Sequence, residues 1–202
     1  MVADEINRLR RRVRHRVERE HNLLYIQIPK VASTSIKIWL NHKEQTVKFE
    51  DAEFSNFFVF TVVRNPFDRI LSTYRQLNEI VTTNRDTFPY PLDTFETFVR
   101  SLPEVSTQLD SHVATQASLI RFPDRKETDI SHIDYVGRFE QIEESIQYVA
   151  DRCGIKDRGP LPKRNQSADT DRPTVSHTEE TKRITREVYK VDFDIFNYDP
   201  EL

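Results

Sequence analysis

Leu23-Leu24-Tyr25-Ile26-Gln27-Ile28-Pro29-Lys30-Val31-Ala32-Ser33-Thr34-Ser35-Ile36 joins a short apolar run, a proline-lysine pair and a cluster of small hydroxyl residues that opens an amphipathic segment. The apolar run predicts a buried strand, and Ile36, Ile38, Trp39 and Leu40 predict a helix that starts near Thr34 or Ser35. A strand feeding a helix start brings unpaired backbone N–H groups and the positive end of the helix dipole to one corner, where a phosphate or sulfate is favoured. Lys30 adds a full charge there, and Ser33, Thr34 and Ser35 add hydroxyl donors. Many α/β proteins build the same corner with Ser or Thr serving only as an N-cap. The chain has only three glycines, at 137, 154 and 159, which argues against a Walker-type loop and a dinucleotide fingerprint.

A second stretch repeats the strand-to-helix logic: Phe57-Phe58-Val59-Phe60-Thr61-Val62-Val63-Arg64-Asn65-Pro66-Phe67-Asp68-Arg69-Ile70-Leu71-Ser72-Thr73-Tyr74. Its apolar and β-branched residues predict a strand that ends at Arg64. Asn65 suits an N-cap, and Pro66 suits the first helical position, where a missing N–H costs nothing. Arg64 then stands at the carboxyl end of a buried strand, where open α/β sheets place ligands. Its guanidinium fork matches phosphate oxygens, and Ser72, about two turns into the helix, offers a hydroxyl to the same group. The alternative is an Arg64–Asp68 ion pair with Ser72 facing solvent.

Together these two stretches resemble the donor-binding signature of sulfotransferases that use 3'-phosphoadenosine-5'-phosphosulfate (PAPS), especially the carbohydrate branch, sulfotransferase family 2, with its heparan and chondroitin enzymes. Pro29-Lys30 through Thr34-Ser35 is similar to that family's 5'-phosphosulfate loop, and Arg64 through Tyr74 to its 3'-phosphate motif. Softer similarity continues in Asp134-Tyr135-Val136-Gly137-Arg138-Phe139-Glu140, a strand and turn before a late helix. It extends to Leu161-Pro162-Lys163-Arg164-Asn165-Gln166-Ser167, a donor-covering loop, and to the C-terminal ending from Tyr189 to Tyr198. The resemblance implies a three-layer, P-loop-like α/β fold with a short, mainly parallel sheet flanked by helices, its strands near 23–28, 57–63 and 133–138. It implies donor binding by Lys30, Val31, Ala32, Ser33, Thr34, Ser35, Arg64, Ser72, Lys163, Arg164 and Asn165. PAPS is then the donor, adenosine 3',5'-bisphosphate (PAP) the product, and a glycan or other hydroxyl-bearing compound the acceptor.

Composition is compatible with this expectation. A chain of 202 residues with 37% hydrophobic content can form one sizeable core, which gives a basic N-terminal helix or extension over 1–21 and a single domain over 22–202. A net charge of −3 provides no global attraction to nucleic acid or membrane, so an anion site must come from local arrangement. The lone Cys153 excludes an intrachain disulfide framework and suits a reducing compartment. There is no apolar stretch of membrane-spanning length and no hydrophobic secretion core at the N-terminus. The resemblance then implies a soluble cytoplasmic enzyme of the bacterial type or a trimmed Golgi lumenal domain.

Arginines at 8, 10, 11, 12, 14, 16 and 19 precede the first predicted strand, and Leu9, Val13 and Val17 mark a thin helical stripe among them. No aromatic residues are interleaved for base stacking, which argues against a nucleic-acid partner. Downstream, a helix is predicted over 94–102 with Pro103 ending it, and another over 141–152 with Gly154 just past its end. A last helix is predicted to run to about Lys190, with Ser176 and Glu179 as its capping box. The polar segment 104–132 carries His112 and Arg121 as its most reactive-looking members. Oligomeric state is not encoded in any motif.

In the reaction so implied, an acceptor hydroxyl attacks sulfur in line while charge builds on the bridging oxygen of the departing bisphosphate. Lys30 and the backbone N–H groups of residues 32–35 are the expected stabilisers of that oxygen, by the electrostatic logic of phosphoryl transfer. The general base is open among His42, His112 and the acidic run from Glu50 to Glu53. His42 also falls near the predicted end of the first helix, where a charge interacting with the helix C-terminus is the commoner role. No metal is expected, since the six histidines are scattered and no H-E-x-x-H spacing occurs. Two rival readings are a nucleotide-kinase-like phosphotransferase, which would normally carry a glycine-rich loop, and a non-catalytic polyanion-binding module on the same fold.

Overall fold

The computed structural model describes residues 15–40, 45–47, 56–81, 91–105, 111–121, 126, 128–162 and 175–201. The described residues form two compact units interleaved along the chain, one drawn from within 12–64 and 117–168, the other from within 65–116 and 169–202.

The first unit holds a five-stranded mixed sheet. In chain order its strands are β1 (His15–Glu18), β2 (Leu23–Ile26), β3 (Gln45–Val47), β4 (Phe58–Val63) and β5 (Tyr135–Arg138), arranged β3-β1-β2-β4-β5. The three strands expected from the sequence, β2, β4 and β5, are mutually parallel, with Leu23 opposite Phe58 and Phe60 opposite Tyr135. All of β2 and five of the six residues of β4 are buried, as a strand covered on both faces requires. Thr61, the one polar residue inside β4, is buried because its hydroxyl donates to the Ile26 carbonyl at 2.8 Å. Asp134 locks the entry to β5: its backbone N–H donates to the Val59 carbonyl at 2.8 Å while its carboxylate accepts from the Val59 N–H at 2.7 Å.

Residues 15–18, expected within a basic helix, are instead the strand β1, antiparallel to both β2 and β3, so the sheet extends upstream of residue 22. The reason is a period of two: His15 and Val17 share one face of the strand, Arg16 and Glu18 the other. The 9-13-17 spacing that suggested a helix contributes only Val17 to the described residues. The β1–β2 turn is held by Glu18, whose buried carboxylate accepts from the backbone N–H groups of Glu20 and His21, both at 3.0 Å, and pairs with Arg158 at 3.4 Å. Asn22 completes the turn at φ 51°, a left-handed conformation that Asn tolerates.

Helix α1 (Ser33–Trp39) follows β2, α4 (Gln116–Ile120) precedes β5, and a 3-10 turn (Phe139–Gln141) leads from β5 into α5 (Ile142–Cys153). As expected, Gly154 ends α5 at φ 71°. Gly137 permits the close packing of α5 on the sheet, because a β-carbon there would lie 2.8 Å from the Cβ of Ser145.

The second unit is helical. It contains α2 (Pro66–Val81), α3 (Phe95–Val105), α6 (Glu179–Val188) and α7 (Lys190–Phe196). Asn65 caps α2 as expected, its side-chain oxygen accepting from the Phe67 N–H at 2.9 Å. Two other helix expectations are corrected. Pro103 lies inside α3 rather than ending it; in the last turn it removes a single backbone bond, and the helix stops two residues later. The capping box of α6 is Thr178 with Thr181, not Ser176 with Glu179, because the two threonines satisfy each other's backbone N–H groups reciprocally. The last predicted helix, expected to run to about Lys190, is α6, which ends at Val188; a further short helix, α7, follows Tyr189.

Candidate functional site

The segment between β2 and α1 makes an abrupt turn without glycine. Lys30 has φ 72° and Ala32 φ 59°, two left-handed residues separated by one. For residues with a β-carbon each costs roughly 1–2 kcal/mol, so the turn is maintained by its surroundings. Val31, between them, is fully buried and anchors the loop, while Lys30, Ala32 and Ser33 are half-buried and Thr34 is exposed. Ser35 is buried. The N-cap of α1 is Ala32, which has no side chain to cap the first N–H groups, and the first turn contains no acidic residue. The loop therefore presents backbone donors and a lysine with no carboxylate in that turn to neutralise them.

Arg64 lies one residue beyond the carboxyl end of β4. Its Nη1 donates to the backbone carbonyl of Lys30 at 3.3 Å, and its guanidinium carbon sits 4.2 Å from the centre of the Phe139 ring. Phe139 follows β5 directly, so residues from beyond the ends of three parallel strands meet at one guanidinium. The structure thus brings together Lys30, Arg64 and the Asp134–Glu140 stretch, three pieces that the sequence singled out separately. Phe139 as an arginine platform was not legible in the sequence, although it lies inside one of the resembling stretches.

Ser72 and His112 belong to the helical unit, both half-buried. Ser72 lies on α2, and its neighbour Thr73 donates its hydroxyl to the backbone carbonyl of His112 at 3.1 Å. His42, the run from Glu50 to Glu53, Lys163, Arg164 and Asn165 lie outside the described residues.

Two further ionisable groups are shaped by burial. Desolvation depresses the pKa of His15 to about 4, which keeps the imidazole neutral inside the sheet. Lys37 on α1 is also shifted downward, first by burial and then by the like charge of Arg16. Among the described residues, Glu18, Glu20 and His21 form the one cluster with metal-ligand spacing. Its central carboxylate is occupied with backbone N–H groups, the His21 ring at 3.1 Å and Arg158, which are the contacts of a turn rather than of a cation. No helix among the described residues is long and apolar enough to cross a membrane.

Carbohydrate sulfotransferase 11 from Mus musculus and the protein of the same name from Rattus norvegicus are each 25% identical to this chain over 240 aligned residues. The alignment covers 90% of this chain and 66% of each relative, so the chain spans just under two thirds of their length. No solved structure matches it significantly. Residues 13–199 match the model of the sulfotransferase family, a span that includes the Lys30 loop, Arg64 and the Phe139 turn. The chain belongs to the sulfotransferase family.

Proposed function

We propose that this chain transfers a sulfuryl group from PAPS to a hydroxyl of a carbohydrate. The observation that carries the reading is the Arg64–Lys30 link, which joins the expected 3'-phosphate motif to the expected 5'-phosphosulfate loop. The names of the 25%-identical relatives support the carbohydrate acceptor. The arrangement suits a nucleotide with anionic groups at both its 5' and 3' ends: two left-handed residues shape the Lys30 loop, and a guanidinium stands at the next strand end. The donor supplies an activated sulfuryl group on a bisphosphate leaving group.

Lys30 and the N–H groups of residues 32–35 stabilise negative charge on the bridging oxygen as the bond from sulfur to that oxygen breaks. Arg64 and Ser72 hold the 3'-phosphate, and Lys163, Arg164 and Asn165 cover the nucleotide. The acceptor oxygen bonds to sulfur and its proton passes to a base, either His112 or His42, with the acids of 50–53 as the remaining candidates. A positioned base of this kind contributes roughly 10² to 10⁴ in rate.

The test is transfer of labelled sulfate from PAPS to chondroitin or heparosan, combined with calorimetry of PAP. Tight PAP binding that is lost in Arg64→Ala, together with labelled glycan, supports the reading. A preference for ATP would point to a phosphotransferase, and PAP binding without transfer to a glycan would leave a binding module. The pH-rate profiles of His42→Ala and His112→Ala identify the base by loss, in one of them, of the acidic limb, where the rate falls as the base is protonated.

A further inference from the structure

Strand register places Arg64 and Phe139 side by side. Strands β4 and β5 run parallel, with Val62 opposite Gly137 and Val63 opposite Arg138. Arg64 and Phe139 are the next residues on their two strands, one step beyond the last paired positions. Neighbouring strands lie about 4.8 Å apart, and residues at matching positions share a face of the sheet. The outcome is a guanidinium carbon 4.2 Å from the centre of the Phe139 ring. The backbone that carries Phe139 is itself fixed. The buried Ser145 hydroxyl on α5 accepts from the Arg138 N–H at 3.1 Å and donates to the Arg138 carbonyl at 3.3 Å. Gly137, without a β-carbon, lets that serine approach the strand.

A guanidinium stacked on a ring is held by its face, which leaves its in-plane N–H groups to hydrogen bonding. Nη1 of Arg64 uses one of them on the Lys30 carbonyl at 3.3 Å. An arginine at a strand end has several rotatable bonds, and fixing them only when a ligand arrives would subtract from affinity. Ring and carbonyl together fix them beforehand.

We propose that Phe139 is a specificity-determining positioning residue, whose ring orients the Arg64 guanidinium so that the protein selects a donor bearing a 3'-phosphate. This rests on the sulfuryl-transfer reading, in which Arg64 meets the 3'-phosphate. Phe139 acts through Arg64 and not by touching the nucleotide. Its effect is therefore confined to ligands that carry the phosphate which Arg64 reads.

Phe139 is half-buried and outside the core, so Phe139→Leu, which removes the ring at similar volume, is expected to fold. The probes are PAP and adenosine 5'-monophosphate, which lacks the 3'-phosphate, with affinities measured by calorimetry and by competition. Phe139→Leu should weaken PAP roughly threefold to thirtyfold, the range of a cation–π contact, while affinity for the monophosphate stays unchanged. Phe139→Tyr, which keeps a ring, should retain most of the PAP affinity. In an Arg64→Ala background, Phe139→Leu should weaken PAP no further, because the group it orients is gone. Unchanged PAP affinity in Phe139→Leu would overturn the inference. So would an equal loss for both nucleotides, or a loss that persists without Arg64, since either means that the ring touches the nucleotide or only braces the fold. An unmodified protein that binds PAP no better than the monophosphate would overturn the sulfuryl-transfer reading itself, a separate outcome.

Discussion

Arg64 donates to the backbone carbonyl of Lys30 across 34 positions of sequence, at 3.3 Å, while lying over the ring of Phe139. The bond couples the position of the loop to the arginine, so Arg64 has two jobs. It is bonded to the turn that contains two left-handed residues, and under the proposed function it would also supply a guanidinium to the nucleotide.

Replacing Arg64 should therefore do more than remove one phosphate contact. Arg64→Ala is expected to weaken PAP binding by about 2–3 kcal/mol, roughly thirtyfold to a hundredfold or somewhat more, from loss of a charge-assisted contact to an anion. Arg64→Lys should fall between, since an ammonium keeps the charge but not the fork. Calorimetry with PAP measures both, and equal affinity in all three proteins would remove Arg64 from the site.

The loop separates a backbone effect from a charge effect. Ala32→Gly relieves a left-handed alanine and should raise stability by about 0.5–1 kcal/mol, read as a higher denaturation midpoint. Lys30→Ala should lower turnover by on the order of a hundredfold while PAP binding weakens less, because in the proposed reaction its charge would act mainly on the bridging oxygen. Near-normal turnover in Lys30→Ala would remove that role.

Gly137 is a packing requirement. Its would-be β-carbon meets Ser145, whose hydroxyl also accepts from the Arg138 N–H at 3.1 Å, so the helix is tied to the strand at the point of closest approach. Gly137→Ala is expected to cost about 1–3 kcal/mol by forcing α5 outward, and Gly137→Val more. Urea denaturation is the measurement; an unchanged midpoint would mean that α5 shifts freely.

His15 makes part of the stability depend on pH. Its folded-state pKa of about 4 lies below the unfolded value of 6.5, so protonation favours the unfolded chain. The contribution is fully present above pH 6.5 and is lost as pH falls from there toward 4, amounting to roughly 3 kcal/mol across that window. His177, shifted in the same direction chiefly by burial, adds to the slope. Compared with the unmodified protein, His15→Gln should lose less stability between neutral pH and pH 4. Parallel pH profiles would contradict the assignment.

Much of this architecture is written in local pattern. The buried runs of β2 and β4, the Asn65-Pro66 helix start and the Gly154 stop depend on residues within a few positions of one another, and so does the glycine-free anion corner. Other features needed the third dimension. Strand β1 was concealed because a four-residue strand among arginines shows too short a period, and its identity comes from pairing with β2 and β3. The choice of Thr178 over Ser176 as a cap depended on which hydroxyl meets a partner of matching reach. Most of all, the sequence by itself determined which residues have the chemistry for an anion: Lys30, the hydroxyl cluster and Arg64. Only the tertiary structure decided that Arg64 closes onto the Lys30 carbonyl over Phe139, and that a buried arginine holds the backbone around His112. Residue type determines what a group can bind, whereas contacts across 34 or more positions depend on how strands and helices stack, which no local period encodes.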